Sequence, residues 1–192
     1  MKVFKGVLIA VFLLSLLSLT GCGSKKEKTK PLTSSSQKES PEEEKLVSPE
    51  EKVQFVLVNL YFVNGRTERL AVEKRQVFDL KDQTSMIKQV LRSLKLGPVG
   101  NLKPSIPENI EFKNIFIYKD TVYIDLKITN TPSTIGGIRG EKLFLASVVK
   151  TVCSLSDNYK KVVFLVNGEQ KDSILGHIDS SGYFTVNSFG NI

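Results

Sequence analysis

Residues 112–128 read FKNIFIYKDTVYIDLKI. Two runs of alternating apolar residues, Phe112–Tyr118 and Thr121–Ile128, meet across the polar pair Lys119-Asp120, which is the pattern of a β-hairpin. Ile115, Ile117, Val122, Ile124, Leu126 and Ile128 supply its core positions. Helical periodicity lies on either side. From about Thr84 to Leu96, Ile87, Val90, Leu91 and Leu94 share one face opposite Lys88, Arg92 and Lys95, with Asp82 or Thr84 as the start and Gly97-Pro98 as the stop. Over Glu141–Leu155, Leu145, Val148, Val149, Val152 and Leu155 point inward and Ser147, Lys150, Thr151 and Ser154 outward. A hairpin bracketed by two helices places the chain in the α+β class.

Further out, Val53–Val63 (VQFVLVNLYFV) stops at the turn signal Asn64-Gly65, and Leu70–Phe78 follows as its pairing partner. Both alternating faces of the first run are apolar, which predicts a central strand covered on both sides. Beyond the second helix, Val162–Val166 is a strand closed by Asn167-Gly168, and Ser173–Ile178 is expected to return as a short strand. The expected order is ββαββαβ(β): a mixed or antiparallel sheet with two helices packed on one face, occupying residues 53–192 as a single domain.

The preceding 52 residues have another character. Lys2 and Lys5, an apolar run from Val7 to Leu19 and the box Leu19-Thr20-Gly21-Cys22 form a secretory signal over residues 1–21. The run is too short for the roughly 20 residues of a spanning helix. The box resembles that of bacterial lipoproteins, in which Cys22 carries a diacylglycerol. Acylation would hold the mature chain on the outer face of the cytoplasmic membrane. Residues 22–52 then form a lipidated terminus and a tether that contains seven lysines and seven glutamates and no aromatic residue.

Charge and composition narrow the function further. The net charge is +7, of which +5 belongs to residues 53–192, carrying 18 Lys/Arg and 13 Asp/Glu. An extracytoplasmic placement removes nucleic acid as a partner. Two cysteines and one histidine cannot close a four-ligand zinc shell, and no cofactor or metal is expected. With Cys22 committed to lipid, Cys153 has no disulfide partner and is expected in the core.

In order and spacing, LYFVNG…RLAVEKRQV (60–77), LRSLKLGP (91–98), Ile106-Pro107, VYIDL (122–126), GEKLFLASVVKTV (140–152) and VVFLVNGE…LGHID (162–179) resemble the GerMN domain. Lys127 departs from the family, which often carries serine there. The resemblance implies a non-catalytic extracytoplasmic module on lipoproteins associated with sporulation and spore germination, with a fold similar to the ring-building motifs of secretion and sporulation channels. Its implied partners are envelope or sporulation-channel proteins, including a second copy of itself.

Residues of chemically capable types have plainer readings. His177 with Asp179 lacks a nucleophile elbow and is expected to hydrogen-bond structurally. Glu73 and Arg75 are expected to form a same-face ion pair. Gly136-Gly137-Ile138-Arg139-Gly140 lacks a P-loop ending and is expected to be a flexible loop whose dipole position Glu141 already fills. Lys88, Arg92 and Lys95, with Arg139, are the expected interaction surface if the basic face does more than meet solvent. The alternative function is a ligand-binding lipoprotein that recognises cell-wall polymer or a small germinant, for which a convergent polar pocket is required.

Overall fold

The computed structural model describes residues 53–192. The signal peptide, Cys22 and the whole tether therefore lie outside the described residues. Elements follow the order β1 (Phe55–Asn64), β2 (Arg69–Phe78), α1 (Gln83–Leu96), β3 (Ile110–Tyr118), β4 (Thr121–Ile128), α2 (Gly137–Cys153) and β5 (Lys161–Val166). They form an α+β fold with two sheets. One is the antiparallel ribbon β1-β2, and the other is the mixed sheet β3-β4-β5, in which β4 pairs antiparallel with β3 and parallel with β5.

The 112–128 hairpin forms as its alternation requires. Ile115 faces Ile124 and Ile117 faces Val122 across the ladder, and Lys119 takes a positive φ of 54° in the turn. Val122, Ile124 and Leu126 are fully buried. On the same face of β5, Val162 and Phe164 continue the layer, and Phe164 meets Phe144 of α2 at 6.1 Å between ring centroids. The α1 helix packs beside β3 and β1 through Ile87, Val90, Leu91 and Leu94. Its ends follow the expected chemistry. The Asp82 side chain accepts from the Ser85 amide at 2.7 Å, and Gly97, at φ 93°, donates its N–H to the Leu94 carbonyl.

Three expectations are corrected. First, β1 is not a central strand. Its inward residues Val58, Leu60 and Phe62 are buried, but Phe55 and Leu57 on the other face are 56% and 66% exposed, and among the described residues β2 is its one strand neighbour. Second, Ser147 and Thr151 of α2 do not face solvent; both are fully buried. The two corrections share a cause. The backbone groups on the free edge of β1 need partners once buried, and α2 supplies hydroxyls in place of a third strand. Ser147 Oγ donates to the Tyr61 carbonyl at 2.6 Å, the Tyr61 amide donates to Thr151 Oγ1 at 3.2 Å, and Ser105 Oγ reaches both Ser147 Oγ (2.7 Å) and the Tyr61 carbonyl (3.3 Å). Further along, Val63 exchanges two backbone bonds with Lys103. Third, residues 173–178 are a loop rather than a return strand, pinned by a single bridge between Ser173 and Asp179.

Candidate functional site

The chemistry-bearing groups of the domain are buried carboxylates, and each holds a turn. Glu141 was expected in the first turn of α2, but the helix begins earlier, at Gly137, so the side chain projects instead toward the 173–178 loop. It is fully buried. Its Oε1 accepts from the Leu175 amide at 2.8 Å and the Ser173 hydroxyl at 3.3 Å. Its Oε2 accepts from the amides of His177 (2.8 Å) and Ile178 (3.2 Å) and lies 3.2 Å from His177 Nδ1. A carboxylate with this many donors is a fixed acceptor of charge-assisted bonds.

Serine, glutamate and histidine thus stand together, but in the wrong order for acyl transfer. A hydrolytic triad needs the imidazole between acid and nucleophile, whereas here Glu141 lies between Ser173 and His177. The Ser173 hydroxyl is also used locally, accepting from the Gly176 amide at 2.7 Å. His177 is a partner of the buried acid rather than of Asp179, whose carboxylate binds the Ser181 amide and hydroxyl.

Asp125 plays the same part beneath the turn after β5. It is 3% exposed, accepts from the Gly168 amide at 2.7 Å and from Asn114 Nδ2 at 3.2 Å, and so fixes a turn in which Asn167 and Gly168 both have positive φ. Glu73 and Arg75 form the expected pair on the inner face of β2. Arg75 also donates to the carbonyls of Ser93 and Gly97, while Glu73 accepts from the amides of Val99 and Gly100. The pair therefore fastens the end of α1 and its following loop to the ribbon. Burial acts to raise the Glu73 pKa, but the Arg75 bond and the two amides outweigh it and hold the carboxyl below its ordinary value.

The sequence predicted none of the Glu141 or Asp125 contacts. The available signal was an acid within an apolar run, in VYIDL, or just ahead of one, in GEKLFLA, followed downstream by glycine-containing turns able to present amides.

The predicted surface residues separate into two places. Lys88, Arg92 and Lys95 line a groove of about 390 Å³ between α1 and β3, with Leu96, Ile110, Phe112, Lys113 and Ile115 also contributing, together with one acid, Glu111, which is paired with Lys127. Because β3 is an edge of its sheet, the groove lies along a free strand edge. Among the described residues, Lys88, Arg92 and Lys113 have no carboxylate within ion-pair distance. Lys95 does another job. Its ammonium donates to the carbonyls of Pro107 (2.6 Å) and Glu108 (3.1 Å), and burial lowers its pKa. Arg139 lies apart, binding the Glu68 carbonyl and carboxylate at the β1-β2 turn. Cys153 is half-buried against the core, and desolvation pushes its thiol up to about 11. Among the described residues no cluster of three metal-ligating side chains occurs, and no helix is long and apolar enough to cross a membrane.

A family model described as Germane, sporulation and spore germination, matches residues 59–172. No curated protein sequence matches the chain. Among solved structures, the first GerMN domain of the Bacillus subtilis sporulation protein GerM aligns at 18% identity with a TM-score of 0.51, covering 65% of this chain and 92% of that one. The tandem GerMN domains of the same protein align at 17% identity and a TM-score of 0.52, covering 73% of this chain and 48% of theirs. These likenesses concern the fold. A candidate lipoprotein of Clostridium perfringens aligns at 23% identity with a TM-score of 0.45, covering 68% of this chain and 87% of that one.

Proposed function

The chain belongs to the Germane family, that of sporulation and spore germination, and on that premise we propose that it is a non-catalytic interaction module, lipid-anchored through Cys22 on the outer face of the cytoplasmic membrane. Its partners in this reading are envelope or sporulation-channel proteins, including a second copy arranged as ring-building motifs are. The observation that carries the proposal is the α1-β3 groove, where an apolar floor, a free strand edge and the cations Lys88, Arg92 and Lys113, unpaired among the described residues, occur together, and where the one lining acid, Glu111, is paired with Lys127. Such a groove suits an extended or helical segment bearing carboxylates. Arg139 belongs to the anchoring of the β1-β2 turn in this reading, and Lys95 to the groove wall.

The test is charge reversal at Lys88, Arg92 and Lys113, which are on the surface and leave the core untouched. The triple Glu variant is expected to unfold at the wild-type temperature and to fail to complement loss of the protein in sporulating cells. Full complementation by the folded variant would refute the groove as the working surface.

A second reading, binding of a cell-wall fragment or small germinant, draws support from a separate hollow of about 340 Å³ that brings Asn59, Gln83, Ser154, Ser156 and Tyr159 together beside β1. A muropeptide or sugar that raises the unfolding temperature would favour it, since a ligand of the folded state stabilises by mass action.

A further inference from the structure

The outer face of the β1-β2 ribbon changes character along its length. At the end where the chain enters the domain, Phe55 stands opposite Phe78, with ring centroids 5.0 Å apart, and Leu57 follows on the same face opposite Gln76. Val53 and Leu80 flank them. All five apolar side chains are open to solvent, at 64% for Val53, 56% for Phe55, 66% for Leu57, 50% for Phe78 and 37% for Leu80. Further along the ribbon the polar pair Asn59 and Lys74 interrupts this face and separates the apolar end from Tyr61 and Val72 beyond it. No element covers the apolar end among the described residues, and a contiguous exposed patch of this kind marks a contact surface.

Where the chain arrives identifies the occupant. Val53, just before β1, is itself part of the patch, so the chain enters the domain at this facet. We infer that this facet, centred on Phe55, Leu57 and Phe78, docks onto the bilayer surface, so that the tether and the domain contact the membrane at one place. The inference rests on the lipid-anchored placement proposed above. Phenylalanine and leucine partition into the headgroup boundary, and a covalent tether makes the contact intramolecular, so a few shallow side chains suffice where they would fail for a free protein. Charge contributes little. Lys81 stands between Asp79 and Asp82 in the sequence, and Asp82 is already engaged as the α1 cap. The attraction is therefore apolar and insensitive to salt.

The chain contains no tryptophan, so a single introduced indole reports without background. The mature lipidated chain is reconstituted into phosphatidylglycerol/phosphatidylethanolamine vesicles as Leu57→Trp, as Val53→Trp and, for a reference on the other sheet's side, as Tyr183→Trp. Flotation reads the anchor, and quenching by brominated phospholipid reads the docking. The expected result is that all three variants float, that L57W and V53W emit to the blue and are quenched, and that Y183W stays red and unquenched. Flotation with unquenched L57W and V53W overturns the docking and leaves the anchor standing; the same result with crosslinked dimers through this facet assigns it to a second copy and overturns the docking equally. A chain that does not float overturns the anchor and this inference with it.

Discussion

Glu141 is the residue on which the terminal loop depends. Four donors from residues 173–178 besides the imidazole converge on its two oxygens inside a fully buried site. Glu141→Gln keeps the size but faces amide N–H groups with an NH₂, so about 2–4 kcal/mol of stability should be lost. His177→Ala removes one longer bond from a side chain that is 37% exposed and should cost about 1 kcal/mol or less. Chemical denaturation of both variants checks the ratio, and a His177→Ala protein that retains its partners separates binding from any imidazole chemistry. A second residue-scale prediction concerns acid. Glu108 is held down to about 2 by the Ser133 hydroxyl, then by Thr134 and backbone amides. A depressed carboxyl stabilises above its unfolded value of 4.5 and loses that contribution as pH falls toward 2. The protection factor of the Thr134 amide, taken relative to the intrinsic exchange rate at each pH, should therefore fall on acidification through this window, and Glu108→Gln should abolish that pH dependence of protection.

At the scale of elements, the unusual feature is a strand edge closed by a helix. Thr151→Val leaves the Tyr61 amide without its acceptor, and Ser147→Ala removes the hydroxyl nearest the Tyr61 carbonyl. Each should cost about 1–3 kcal/mol, and the pair should be non-additive because both serve one residue. Thermal unfolding of the two single variants and the double variant measures this. The same contact explains what the sequence could not reveal. The hairpin of 112–128, the caps of α1 and the turn signals at 64–65 and 167–168 were legible because their determinants are local. The serines and threonine of α2 look like a solvated stripe in a helical pattern, and only the tertiary position of β1 makes them buried partners. Likewise, apolar residues on both faces of β1 predicted cover on both sides, whereas one face lies on the core and the end of the other is open. Glu141 and Asp125 escaped for a related reason: their backbone donors lie about 35 to 45 residues downstream. The surface cations, in contrast, were placed on the right helix face by periodicity alone, although Lys95 is tied to backbone carbonyls and Arg139 belongs to a different corner.

At the scale of the molecule, the domain combines a fixed interior with two open surfaces. Carboxylates lock the loops, so the α1-β3 groove and the apolar end of the ribbon are presented by a rigid frame, as a docking module requires. The proposed anchor sets the ribbon's entry toward the membrane and leaves the groove for a neighbour. The most direct test places a photo-crosslinking amino acid at Lys113, on the free edge of β3, in the full-length protein within membranes of sporulating cells. The account predicts a discrete crosslinked species, with an envelope protein or a second copy, that persists in the His177→Ala background and disappears when Lys88 and Arg92 are reversed to Glu. A chain that remains monomeric and uncrosslinked at Lys113 throughout sporulation and germination would contradict it.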